Sequence, residues 1–337
     1  MENCILRDQS KMGIMKKSLF AIILIGLFLG CNNDDDGLGG ISIPPRLLSE
    51  VEPENDEEIQ EFMETHFYNY EDFEEPIDPD FNFRVVIDTI AGENADKTPI
   101  SQQVQSLSIL VSSDQFNLED DEEVLHTLYY LNVREGAGNS PTVADSTLLK
   151  YEGSLLDNSR FDAVSDFFWQ ELPFFIRGFA NGASTIKSGT QAGLVVNADG
   201  TTSFTDSGIG LVFIPSGLAY FNNPPTASIG SYDPLVFSIE VGLYVEDTDN
   251  DNDGIPSIME DLNGDNDVFN DNTDNDVERE QGLLIGIPDF QDIDDDGDGV
   301  LTRDEISDAN GNIIFPYPDS NNDGTPDYLD PDVLREP

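Results

Sequence analysis

Basic residues are scarce. Fifteen Lys and Arg stand against 68 Asp and Glu in 337 residues, a formal charge of -53. That balance argues against nucleic acid as a partner, because phosphates require Lys and Arg, and against electrostatic docking on anionic lipid. An acid excess this large marks either a solvated acidic tract or one that binds cations. Cysteine is nearly absent, with only Cys4 and Cys31, so no disulfide framework is available. The apolar run Ser18 to Leu29 is only about a dozen residues, short of the roughly 20 a membrane-spanning helix needs. What remains is 38% hydrophobic residues, 21 Phe among them, enough for one real core, in a chain long enough for about two domains plus tails.

The short apolar run has a specific setting. Met15-Lys16-Lys17 precedes it, Gly30 and Cys31 close it, and Asn32-Asn33-Asp34-Asp35-Asp36 follows. One reading is an ordinary secretory signal with an incidental Cys. The other is that the segment resembles a bacterial lipoprotein signal, although Phe28 stands where Leu is usual. That resemblance implies cleavage before Cys31, lipid on its thiol and a membrane anchor through that lipid. The segment resembles those of lipoproteins of the Bacteroidetes group, and the resemblance implies a location in the cell envelope, at the outer membrane, periplasmic or surface-exposed. Met1 to Ile14, with Cys4, reads as a wrongly assigned start or a leader extension, so the expected mature chain has no free thiol.

Residues 1–30 are thus expected to be leader and signal, and 31–54 a linker with Gly and Pro in Gly37 to Pro45. Residues 55–120 form an N-terminal extension. In it Asn55 can cap a helix beginning Asp56-Glu57-Glu58, and Ile59, Phe62, Met63 and Phe67 follow at helical spacing, with His66 beside them as a structural or exposed side chain. Tyr70 to Phe83 reads as loop. Arg84 to Asp88, Leu107 to Val111 and Leu125 to Val133 read as strands. Residues 121–246 are short strands separated by Gly, Asn, Asp and Pro turns, with one helix-permissive patch near Ala163 to Leu172. The class is α+β: a small antiparallel sheet with little helix.

Within 121–246 the aromatic residues gather beside turns. Arg134-Glu135-Gly136-Ala137-Gly138 is followed by Leu149-Lys150-Tyr151-Glu152-Gly153, then Arg160-Phe161-Asp162. Ile176-Arg177-Gly178-Phe179, Ile214-Pro215-Ser216-Gly217-Leu218-Ala219-Tyr220 and Leu235-Val236-Phe237-Ser238-Ile239-Glu240-Val241 complete the series. In this order the motifs resemble an FKBP-type peptidyl-prolyl isomerase domain, a small antiparallel sheet wrapping a short helix. The resemblance implies that Tyr151, Phe161 and Phe237 are ring walls, Phe179 the floor and Ile229 the rim. Ile176 would offer its backbone, Tyr220 its hydroxyl, and Asp162 would orient Tyr151. No cofactor is implied for catalysis; the partners would be proline-containing polypeptide clients. Phe179 replaces the usual Trp, Phe221 replaces the usual Gly after Tyr220, and Leu194 to Gly208 looks like an insertion splitting a strand. Phe174, Phe213 and Ile239 are left as core.

The physical chemistry suits such a site. Rotation about an X-Pro bond loses amide resonance, against a barrier of about 18–20 kcal/mol. The twisted amide is less polar than the planar one, so a ring-lined pocket that strips water favours the twisted state. Neither nucleophile nor metal is required.

The last segment, 247–337, carries 27 acidic residues against two Arg between Asp247 and Asp332. Its spacing matters more than its composition. Asp249, Asp251, Asp253, Gly254 and Glu260 stand at positions 1, 3, 5, 6 and 12 of a loop. Asp294, Asp296, Asp298, Gly299 and Glu305 repeat this, as do Asp319, Asn321, Asp323, Gly324 and Asp330, with Asp327 at position 9. This is the pattern of a Ca²⁺ loop, in which alternating oxygens wrap the ion, Gly allows the turn and a last carboxylate closes the shell. Asp308, Asn310 and Asn312 make a weaker copy; Asp261, Asn263, Asp265 and Asp267, with Asp274 and Asp276, a degenerate one. Pro256 and Pro326 at position 8, and the echo of Ile287-Pro288-Asp289 in Thr325-Pro326-Asp327, make the tract resemble thrombospondin type 3 repeats more than paired EF-hands. The expected function is proline isomerisation assisting folding or assembly of exported proteins, with a Ca²⁺-stabilised tract. The competing expectation is a catalytically weak proline-binding, spacer or adhesion lipoprotein organised by Ca²⁺.

Overall fold

The computed structural model describes residues 44–77 and 81–335. The leader, Cys4 and the lipidation candidate Cys31 lie outside the described residues. Helix α1 spans Leu48–Thr65 and contains Pro53. Asn55 therefore does not cap it. The side chain is buried inside the helix, where Nδ2 donates to the Tyr232 carbonyl at 3.0 Å and Oδ1 accepts the Ser216 N–H at 2.7 Å. Two backbone partners in a dry interface hold this amide more firmly than a solvated cap would. Burial of Leu48 and Val51 extends the helix N-terminally past the proline. Asn55→Ala would strand a buried donor and a buried acceptor, so a stability loss of about 2–3 kcal/mol is expected in urea unfolding. A loss within about 0.5 kcal/mol, typical of surface changes, would contradict this role.

The apolar stripe of α1 is buried as its spacing requires, through Ile59, Phe62 and Met63. Phe67 lies beyond the helix, in strand β1 (His66–Tyr68), which pairs with β2 (Ile87–Thr89). The His66 ring stacks on Phe62 at 4.0 Å, a packing role.

The main sheet draws on β3 (Gln105–Ser112), β4 (Glu123–Arg134), β5 (Ser146–Leu155) and β6 (Arg160–Glu171). After the short helix α2 (Arg177–Ala183) come the hairpin β7 (Leu194–Val196) and β8 (Thr202–Phe204), then β9 (Gly208–Ile214) and β10 (Leu235–Val245). Six of these make one antiparallel sheet in the order β3-β4-β9-β10-β5-β6. The fold is α+β. Leu194 to Gly208 is a separate hairpin ahead of β9, and Phe204 anchors it on Phe167 at 4.8 Å between centroids.

Strand β9 is buried along its whole length because the sheet is covered on both faces. Val212 and Ile214 join Phe237, Ile239 and α2's Phe179 on one side. Leu211, Phe213 and Val236 join Ile59, Phe62 and Met63 of α1 on the other. A run such as Leu211-Val212-Phe213-Ile214 is what a two-sided strand demands. Ala163 to Leu172, which looked permissive for helix, is mostly strand β6. Half-burial of Val164 and Phe167 three residues apart mimics helical spacing, but it arises from register shifts in the pairing with β5.

Phe174 is not core. It is 54% exposed and packs its ring on Phe269 and Phe290 of the acidic tract. That tract adds the short helices α3 (Asn275–Gln281) and α4 (Thr302–Glu305) and is otherwise turns. It belongs to the same compact unit as the sheet, Pro45–Pro337. Among the described residues no helix is long and apolar enough to cross a membrane.

Candidate functional site

Four rings converge between β5, β6, α2 and β10. Phe179 is wholly buried, and edge-on to it stand Phe237 at 5.1 Å and Tyr151 at 5.3 Å between centroids. Phe237 in turn meets Phe161 at 5.6 Å and Tyr151 at 5.9 Å. Such edge-to-face contacts are the geometry that ring quadrupoles favour. Gly153 permits the approach, since a Cβ there would stand 2.7 Å from the Phe237 ring and 2.8 Å from that of Phe161. Phe179 and Phe237 form a buried base while Tyr151, Phe161, Ile176 and Tyr220 remain half-exposed, so the arrangement is a cup. Ile229 is buried against the same cluster.

The polar groups lie at the mouth. The Tyr151 hydroxyl donates to Asp162 Oδ2 at 2.7 Å. Burial, then that hydrogen bond, raises the Tyr151 pKa and keeps the phenol protonated. Burial also raises that of Tyr220, with the Asp162 charge adding to it. Two phenolic donors and one carboxylate thus share the opening. Ile176 precedes α2, and its carbonyl accepts the Phe179 and Ala180 N–H groups at 2.9 and 3.2 Å.

Two features of the cup were not legible in the motifs. Phe175 stacks nearly parallel on Phe179, 4.4 Å between centroids and 17° between planes, so two phenyl rings cover the floor. Phe221 is buried in the left-handed region with φ 45°, between Phe116 and Tyr232. A positive φ explains why glycine suits this position, and here the burial of a large ring offsets the strain. On the other face of β5 a groove of about 430 Å³ is lined by paired charges, Arg84 with Glu152 and Lys150 with Glu240 among them. Phe83, Val85, Val164 and Tyr151 also line it, so it borders the ring site at Tyr151.

In the acidic tract, Asp251, Asp253, Glu260 and Asp295 bring carboxylate oxygens within 4.8 Å of one another, and so do Asp294, Asp296 and Asp298. Both oxygens of Glu260, Asp295 and Glu305 are buried without a hydrogen-bond partner, as is one each of Asp251, Asp253, Asp294, Asp296 and Asp298. Burial pushes Glu260 up to about 10, Asp295 to about 11, Glu305 to about 8 and Asp296 to about 7, with neighbouring carboxylates adding to each. An unpaired buried charge costs several kcal/mol, and a whole domain is stable by only about 5–15 kcal/mol. This cluster therefore cannot stay ionised and uncompensated. All-oxygen donors at this density fit a hard divalent cation such as Ca²⁺. Asp295 is a contributor the spacing did not disclose, because it stands at position 2 of its own loop yet faces the acids of the preceding one.

The third loop differs. Asp319 Oδ2 accepts the Gly324 N–H, while Asn321 Nδ2 donates to Asp323 and Asp330, so most of its oxygens are partnered. In the weaker copy, Asp308 accepts the N–H groups of Asn310 and Asn312 and is drawn down to about 2.

Comparison with known proteins finds one family model, BamM C-terminal, over residues 250–318. No curated protein matches the chain. Among solved structures, the chain is similar to a peptidyl-prolyl cis-trans isomerase from Pseudomonas syringae pv. tomato at 22% identity and TM-score 0.29, over 35% of this chain and 76% of that one. It is similar to FkpA from Escherichia coli at 23% identity and TM-score 0.29, over 41% of this chain and about half, 52%, of that one. The N-terminal domain of FKBP42 from Arabidopsis thaliana aligns at 18% identity and TM-score 0.28, over 35% of this chain and 87% of that one.

Proposed function

We propose that the ring cup binds proline-containing segments of exported polypeptides and catalyses their cis–trans isomerisation. The carrying observation is the pairing of a dry floor, Phe179 and Phe237, with a mouth where Tyr151 is tied to Asp162 beside Tyr220. The floor removes water from the prolyl amide, which disfavours its polar planar form. The Tyr220 hydroxyl and the Ile176 backbone then hold the substrate carbonyls while the bond turns. We assign Tyr151, Phe161, Asp162, Ile176, Phe179, Tyr220, Ile229 and Phe237 to this site. In the acidic tract we assign Ca²⁺ to the loops opening at Asp249, Asp294 and Asp319, with Asp295 added to the first; the ions' part is to neutralise and brace the tract. The location we infer is the cell envelope, with the chain anchored by lipid on Cys31.

A second reading rests on the stacking of Phe175 on Phe179, which narrows the floor. In that reading the cup binds proline segments with little turnover, and the tract is the working part as spacer or adhesin. A proline-peptide isomerisation assay on the full chain separates the two. Acceleration above the uncatalysed rate, lost on blocking the cup, is expected. Binding of the same peptide without acceleration would leave only the second reading.

A further inference from the structure

We propose that Asp274, Glu278 and Asp292 hold a further divalent cation, at a site built between helix α3 and the turn that leads into Asp294. It rests on the reading of the tract as Ca²⁺-binding, but none of the three repeat loops contains it.

The three residues come from two segments. Asp274 immediately precedes α3 and Glu278 stands one helical turn further on, so both carboxylates fall on one face. Asp292 stands two residues before the loop opening at Asp294. The fold brings an oxygen of each within 4.8 Å of the others. Ca²⁺ takes oxygens at about 2.3–2.6 Å, so ligands on opposite sides of one ion stand up to about 5 Å apart. The three can share an ion. Asp276, which the sequence sets beside Asp274, is exposed and stands outside the group.

Convergence alone would not specify a ligand; Asp274 does. It is 7% exposed and faces the charges of Glu278, Asp292, Asp289 and Asp294, and among the described residues no N–H or O–H donates to its carboxylate. The backbone leaves room beside it. A Cβ on Gly297, whose φ is 69°, would stand 2.5 Å from Asp274 Oδ2, and one on Gly286 would stand 2.8 Å from Glu278 Oε2. The Asn272 amide lies against that same Glu278 oxygen, to which Nδ2 donates at 2.9 Å, while its Oδ1 is buried without a partner.

No side chain of the protein supplies the missing positive charge. Among the described residues, the ion pairs of the tract use Arg177 toward Asp265 and Asp267, and Arg335 toward Asp327. Glu278 accepts the Ile287 N–H at 2.9 and 3.0 Å, and Asp292 Oδ1 accepts the Asp294 N–H at 3.0 Å. These neutral donors leave the charges in place. Asp289, tied to Thr273 at 2.7 and 2.8 Å, and Asp294, which serves its own loop, add to the excess. Buried carboxylates this close need at least a divalent ion, and all-oxygen donors select a hard one such as Ca²⁺. Phe290 stands between Asp289 and Asp292 and packs on Phe174 and Phe269. A cation here would fix the segment through which the tract meets Phe174.

The test is native mass spectrometry of the full chain at a Ca²⁺ concentration that just saturates the wild type. Asp274→Asn is expected to carry one ion fewer than the wild type, and Asp253→Asn to lose an ion from the first loop. If Asp274→Asn keeps the wild-type count while Asp253→Asn loses one, the site at α3 is overturned and the Ca²⁺ reading of the tract stands. If the wild type binds no Ca²⁺, both fall. Should Asp274→Asn fail to fold, Glu278→Gln, which keeps an oxygen for the Ile287 N–H and removes the charge, carries the question: calorimetry is expected to show one site weakened tenfold or more. An unchanged isotherm overturns the assignment.

Discussion

Chelation at neutral pH is expected to open the acidic tract while the six-stranded sheet stays folded. A compact body of this size has a radius of gyration of about 19 Å, whereas a free chain of the tract's length alone has one of about 30 Å. Small-angle scattering with EGTA should therefore show a rise toward the larger value, reversed by added Ca²⁺. The cause is the set of unpartnered buried oxygens on Glu260, Asp295, Asp296 and Glu305, each costing several kcal/mol when charged and alone. The pH dependence has a definite sign. In the metal-free chain these groups have folded pKa values above those of free carboxylates, so the folded tract binds more protons than the unfolded one. Its stability is fully present below about pH 4 and is lost as pH rises through the values near 6 for Asp253, 7 for Asp296 and 8 for Glu305. With Ca²⁺ the slope reverses, because protons compete with the ion for the same oxygens. A chelated protein equally compact at pH 5 and pH 8 would sink this account.

What could be read from the chain alone divides along physical lines. The order of motifs, through the resemblance it carries, pointed to Tyr151, Phe161, Phe179 and Phe237, which do come together. Loop spacing pointed to Asp251, Asp253 and Glu260 and to Asp294, Asp296 and Asp298, which also meet, whereas Asp249 and Glu305 stand outside those groups. Contacts between distant segments were not legible. Asn55 has the composition of a cap, and only the fold brings Ser216 and Tyr232 to its amide. Phe174 has the composition of core, yet it faces Phe269 and Phe290, which the sequence leaves in a separate tract. Asp295 joins the acids of another loop, and position within its own loop says nothing about that. Strand β6 went unseen because register shifts gave it a helix-like burial rhythm, and an edge strand takes its identity from its partner.

Phe237→Ala is expected to remove isomerase activity and to cost about 3–5 kcal/mol of stability, the usual range for a buried Phe. Phe237 is 4% exposed and touches Tyr151, Phe161 and Phe179 edge-on, so its loss would let water into the floor. Because the fold itself is weakened, this variant cannot stand alone. Tyr220→Phe keeps the half-buried ring and deletes only the hydroxyl. One lost hydrogen bond of about 1–1.5 kcal/mol corresponds to a fall of roughly five- to tenfold in kcat/KM, with denaturation midpoints near those of the wild type. Phe179→Trp sharpens the argument. The stacked pair Phe175 and Phe179 already covers the floor that one indole would cover, so a larger ring overpacks a full site at about 1–3 kcal/mol and should not raise the rate. If Phe179→Trp accelerates isomerisation well above the wild type, the phenyl pair is a defect in a catalytic floor. If Tyr220→Phe leaves kcat/KM unchanged while Phe237→Ala abolishes it, catalysis comes from desolvation alone and the mouth serves binding.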